Sequence, residues 1–111
     1  MGSAQEHRVF NQLVEFVVNP SQQSQLVAAL IEQIERHTCT YPGFIGASVE
    51  ASGDGCRVLE QILWQSRQTS EQAMLNAESG PQHFTAMLFQ HGVKAVTFRT
   101  FQVAGTISPR V

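Results

Sequence analysis

Tyr41-Pro42-Gly43-Phe44-Ile45-Gly46-Ala47-Ser48 reads as a helix exit, a tight turn and the start of a strand, and it decides the fold. Pro42 stops a helix and Gly43 opens backbone conformations that other residues avoid. Upstream of this stop, Leu26, Ala29, Leu30, Ile34 and His37 recur at helical spacing. They predict an amphipathic helix over 21–38, with Ser21 or Ser24 available as N-cap. Before it, residues 8–18 are rich in β-branched and aromatic types and read as a strand that ends at Asn19-Pro20-Ser21. One face of that strand carries Phe10, Gln12, Val14, Phe16 and Val18, and the other carries Val9, Asn11, Leu13, Glu15 and Val17.

Downstream, Phe44 to Ser52 forms a second strand, and Gly53-Asp54-Gly55 is a hairpin signal. Cys56 to Gln65 is the third strand, apolar on both faces, with Trp64, the only tryptophan of the chain, near its end. Thr69-Ser70-Glu71 opens a second helix to about Glu78. Gly80-Pro81 interrupts it, and Pro81 begins a further helical segment through about Gln90. Gly92 ends that segment, and Val93 to Val103 is the last strand, with Phe98 and Phe101 on opposite faces.

The order is therefore βαββαβ, an α+β ferredoxin-like plait: a four-stranded antiparallel sheet with its helices on one face. Residues 8–103 make the domain, 1–7 a disordered start or tag remnant, and 104–111 a tail. Helices on one side leave the other side of the sheet open. Phe10, Val14, Phe16, Leu59 and Leu63 are the expected apolar residues there. Burying them returns roughly 25 cal/mol per Å², so the expected closure is a homodimer, sheet against sheet.

At 111 residues, with 42% hydrophobic and 14% charged residues, the composition suits one globular domain. A net charge of −2 without a basic run gives no footprint for nucleic acid. No apolar stretch reaches membrane-spanning length and no export signal is legible, so the expected location is the cytoplasm. Cys39 and Cys56 are isolated thiols, and the four His are too dispersed to specify a metal site.

The Pro42-Gly43-Phe44 turn, the hairpin at Gly53 to Gly55 and the run Val58-Leu59-Glu60-Gln61-Ile62-Leu63-Trp64-Gln65-Ser66 resemble the antibiotic biosynthesis monooxygenase family over nearly the whole chain. The resemblance implies a dimeric α+β barrel and, in one branch, oxygenation of anthrone- or quinol-type substrates with no metal, flavin or other cofactor. It also implies that Trp64 lines a cleft between sheet and helices. Glu60 stands where the anthrone-oxygenase branch carries Asn, and His83 where several members carry a His facing the cleft. The haem-degrading branch fits less well, because Leu13 and Leu88 stand near the places of its Asn and His.

A carboxyl buried beside the cleft has a raised pKa and can serve as a general base. The expected catalytic set is therefore Glu60, His83 and Trp64, with Asn11 as hydrogen-bond donor and Leu30, Ile34, Phe84 and Met87 as walls around an aromatic small molecule. O₂ is the expected co-substrate. Two other classes share this pattern: a cyclase, isomerase or decarboxylase of the same fold, and a non-catalytic small-molecule binder.

Overall fold

The computed structural model describes residues 9–79 and 84–110, excluding the side chains of 77–79 and 84–85. The elements are β1 (Phe10–Val17), α1 (Pro20–Arg36), a 3₁₀ turn (Thr38–Thr40), β2 (Phe44–Ala51), β3 (Arg57–Trp64), α2 (Arg67–Ser79), α3 (Phe84–Gln90) and β4 (Ala95–Gln102). The strands form one antiparallel sheet in the order β2-β3-β1-β4. This is the expected ferredoxin-like plait. Gly80-Pro81, the expected break before the last helical segment, lies outside the described residues.

Two helix starts differ in detail from the sequence reading. Asn19 rather than Ser21 or Ser24 occupies the N-cap of α1, without a side-chain hydrogen bond, because Pro20 already sits in the first turn. Pro there needs no N–H partner and holds the helical φ. At α2, Ser66 and Thr69 cap each other: Thr69 N–H donates to Ser66 Oγ at 3.2 Å, and Ser66 N–H donates to Thr69 Oγ1 at 3.2 Å. The helix therefore opens at Arg67, two residues earlier than Thr69.

The turn that decides the fold is tied to both of its neighbours. Gln65 N–H, just past Trp64, donates to the Gly43 carbonyl at 2.7 Å. Gly43 has φ of 86°, and a Cβ there would collide with the Thr69 side chain that caps α2. The absence of a side chain at position 43 thus lets β2, the end of β3 and the start of α2 meet.

The register decides which face the helices cover. Val14 lies opposite Glu60 and Phe98, and Phe16 opposite Val58 and Val96. Phe10, Val14 and Phe16 are buried on the helix side, so they do not belong to the open face expected for them. Leu59 and Leu63 do lie on the open face, opposite Glu15 and Asn11. Leu13, Val17 and the half-exposed Phe101 complete its apolar set. A strand apolar on both sides cannot announce its covered face; pairing with β3 does.

Candidate active site

Side chains alternate across a strand, so the helix side of β3 carries Val58, Glu60, Ile62 and Trp64. All four are at most 5% exposed. The core divides around Glu60. One cluster joins Val14, Phe16, Val18 and Val58 to Leu26 and Leu30 of α1. The other joins Phe10, Ile62 and Trp64 to Ala73 of α2. Glu60 sits between Val58 and Ile62, at the seam where the two clusters meet.

No hydrogen bond or ion pair reaches Glu60 among the described residues. Arg67 pairs instead with Glu71 at 3.0 Å, and Arg57 with Glu15 on the open face at 2.6 Å. Removal from water without a compensating partner penalises the charged carboxylate, and burial alone pushes Glu60 up to about 7. The group is thus poised to exchange a proton near neutrality.

Trp64 is set into the second cluster, edge-on to Phe44 with ring centroids 5.9 Å apart. Its indole N–H donates to Gln12 Oε1 at 3.0 Å. Ser70 Oγ, from α2, donates to the same oxygen at 3.2 Å. Indole N–H has no acceptor capacity, so Gln12 must turn its oxygen this way and its NH₂ the other. Gln12 lies opposite Ile62 and Thr100, diagonal to Glu60 and Trp64 on β3, and diagonal neighbours of this kind stand about 7 Å apart. Towards β4, Val96 packs against the core, whereas among the described residues Thr100 is exposed and Phe98 is 53% exposed on the helix side of the sheet. The part of this face that Gln12, Phe98 and Thr100 share beside Glu60 is the candidate cleft.

Of the expected site residues, Glu60 and Trp64 share this face. Leu30 and Ile34 are buried on α1, and Met87 packs from α3 against the cluster that contains Leu30. Asn11 is on the opposite face, between Leu63 and Phe101, because it is one residue out of phase with Gln12. It cannot donate into the cleft of its own chain. His83 and the side chain of Phe84 lie outside the described residues. The sequence reading missed Gln12 and Ser70; the usable signal was an amide on the same strand face as Phe10, Val14 and Phe16. A separate groove of about 260 Å³, lined by Pro42, Thr69, Gln72 and Ala73 among others, touches neither Glu60 nor Gln12. Among the described residues no group of three or more His, Cys, Asp or Glu is placed to hold a metal ion, and no helix is long and apolar enough to cross a membrane.

The monooxygenase from the gene ActVA-Orf6 of Streptomyces coelicolor, solved with nanaomycin D, superposes with a TM-score of 0.78 at 24% identity, over 94% of this chain and 95% of that one. The chain has the fold of the antibiotic biosynthesis monooxygenases. A mutant of SnoaB, a cofactor-independent oxygenase from Streptomyces nogalater, matches with a TM-score of 0.69 at 15% identity, over 92% of this chain and 99% of that one. A candidate antibiotic biosynthesis monooxygenase from Chloroflexus aurantiacus matches with a TM-score of 0.65 at 14% identity, over 90% and 97% of the two chains. No protein-family model and no curated protein matches the sequence.

The raised pKa of Glu60 carries a stability consequence with a definite sign. The folded state holds this proton more tightly than the unfolded chain does, so stability falls as pH rises from 4.5 to about 7. The loss amounts to roughly 3 kcal/mol. Glu60→Gln, which stays neutral, is expected to be more stable than the wild type at pH 8 and to lose this part of the pH dependence. Denaturant melts at pH 4.5 and pH 8 check it; equal pH dependence in the two proteins would refute it.

Proposed function

We propose that this protein is a cofactor-independent monooxygenase acting on an electron-rich aromatic small molecule of the anthrone or quinol type. The observation that carries this reading is Glu60, a carboxyl buried on the helix side of the sheet, without a partner among the described residues and pushed up to about 7. It is supported by the fold shared with the Streptomyces monooxygenase solved with nanaomycin D and with the SnoaB oxygenase.

The chemistry asks little of the protein beyond a base, a donor and a shaped apolar wall. Glu60 removes a proton from an activated carbon of the substrate. The Gln12 NH₂ donates to the oxygen on which the negative charge collects. The electron-rich anion gives one electron to O₂, the two radicals combine to a peroxide anion, and the proton held by Glu60 returns to give the hydroperoxide. Loss of water from it leaves a carbonyl, so one oxygen atom enters the product and the other leaves as water. Trp64 acts through position, holding Gln12 from behind; its N–H is occupied by Gln12. His83 is the second candidate for moving the proton, and Met87 is the candidate helix-side wall.

Emodin anthrone is a direct probe substrate. The base must be ionised, so kcat/KM is expected to rise about tenfold per pH unit below 7 and to level off above it, in step with Glu60. Glu60→Gln is expected to lower turnover at least about 100-fold. Turnover undiminished under argon would remove the oxygenase reading and leave a non-oxidative base-catalysed one.

The open face supports a homodimer. Leu13, Val17, Leu59 and Leu63 are half-buried there, Phe101 is 51% exposed, and Asn11 Oδ1 is sealed from solvent without a hydrogen-bond partner among the described residues. A second copy of the sheet would cover the apolar residues. Sedimentation is expected to show twice the 12.3 kDa chain mass, and Leu63→Asp a folded monomer. A wild-type monomer at micromolar concentration would contradict this.

A further inference from the structure

Ser70 is one of two buried polar or charged residues among those described, with 3% exposure; the other is Glu60. It comes from the first turns of α2, where its own N–H is bonded to the Ser66 carbonyl at 3.3 Å. Its hydroxyl leaves the helix and reaches Gln12 Oε1 on β1. Trp64, on β3, reaches the same atom from the adjacent strand. Two donors from two elements thus converge on one carbonyl oxygen. A half-turn of the amide would set its NH₂ against the indole N–H, donor against donor, and break that bond, so Trp64 fixes which way the amide faces and the Ser70 hydroxyl adds a second bond to the oxygen so placed. With the oxygen pinned, the NH₂ points away from Trp64 and Ser70 and makes no hydrogen bond among the described residues.

We propose that Ser70 is a positioning residue: with Trp64 it locks the Gln12 amide so that a fixed pair of N–H donors faces the cleft beside Glu60. The proposal rests on the reading of that cleft as the active site. It gives the site a polarity, with a proton acceptor at Glu60 and a donor at Gln12. The cleft then selects a ligand with a carbonyl or phenolate oxygen at the Gln12 end and rejects an analogue that presents an amine there. The seating of α2 also becomes part of the recognition apparatus, because moving the helix frees the amide.

The single tryptophan makes the test unambiguous: its indole N–H is one resonance in a nitrogen–proton spectrum, and the Gln12 NH₂ pair is assigned through Gln12→Glu. Ser70→Ala, Ser70→Thr and Gln12→Glu are compared with the wild type in the full-length protein, with nanaomycin D as the titrated probe. In Ser70→Ala the Gln12 NH₂ pair is expected to exchange with solvent at least about fivefold faster and to lose its separation. Nanaomycin D affinity should fall about five- to tenfold. Ser70→Thr keeps the hydroxyl and should restore both values. Gln12→Glu keeps the acceptor for Trp64, so the indole resonance stays in place while affinity falls at least about tenfold.

A purely structural Ser70 would lower the melting temperature of Ser70→Ala and leave the Gln12 NH₂ signals where they were, which would overturn the proposal. An unchanged affinity in Gln12→Glu would overturn it as well. If wild-type protein oxidises no anthrone while Ser70→Ala still releases the Gln12 amide, the oxygenase reading falls and the positioning role of Ser70 stands.

Discussion

The pairing of Val14 with Glu60 places a carboxyl group between the two halves of the apolar core, on the side of the sheet that the helices cover. A single-residue slip between β1 and β3 would exchange the faces of a whole strand. It would send Glu60 to the open side and bring Leu59 or Gln61 inward. β3 is fixed to β2 by the Gly43 turn at one end, where Gln65 N–H donates to the Gly43 carbonyl, and by the hairpin at the other, where Ser52 N–H donates to the Arg57 carbonyl at 3.0 Å; its pairing with β1 extends into that hairpin, where Val18 N–H donates to the Cys56 carbonyl at 2.9 Å. Backbone geometry at two turns therefore keeps a destabilising group in place.

That cost is informative about function. Buried carboxyls in folded proteins are ordinarily paired or hydrogen-bonded, and surface ion pairs here show that arginines were available. Arg57 and Arg67 are engaged elsewhere. A site that keeps a base unpaired near neutrality gains reactivity at the expense of stability, the trade commonly seen at catalytic positions. Gln12 supplies the complementary half. Its oxygen is committed to Trp64 and Ser70, so in the proposed site a ligand would meet a donor rather than an ambiguous amide.

Much of the plait was legible because its punctuation is covalent: Asn19-Pro20, Pro42-Gly43, Gly53 to Gly55 and Gly92 each interrupt a periodic run, and the strand and helix types follow. Helix starts were less legible. Asn19 lacks a side-chain cap hydrogen bond and Ser66 shares its capping with Thr69, neither of which spacing alone displays. The covered face was misread because β1 is apolar on both sides, and only its pairing with Glu60, Ile62 and Trp64 breaks the tie. Glu60 and Trp64 were found through the resemblance to the antibiotic biosynthesis monooxygenases, and their four-residue spacing puts them on one strand face. Gln12 was passed over because a neutral amide on a strand reads as surface polarity until its partner is known, and Asn11 was chosen in its place one residue out of phase.

The central feature is Glu60, a buried carboxyl without a partner among the described residues, its pKa raised by burial to about 7. Carbon-13 labelling of the glutamate side chains, with Glu60→Gln to assign the signal, reads that pKa directly in the native protein. A Glu60 carboxyl that titrates with a midpoint near 7 is the predicted result. A midpoint in the ordinary glutamate range near 4.3 would mean that the group is solvated or paired, and would contradict both the proposed base and the core arrangement built around it.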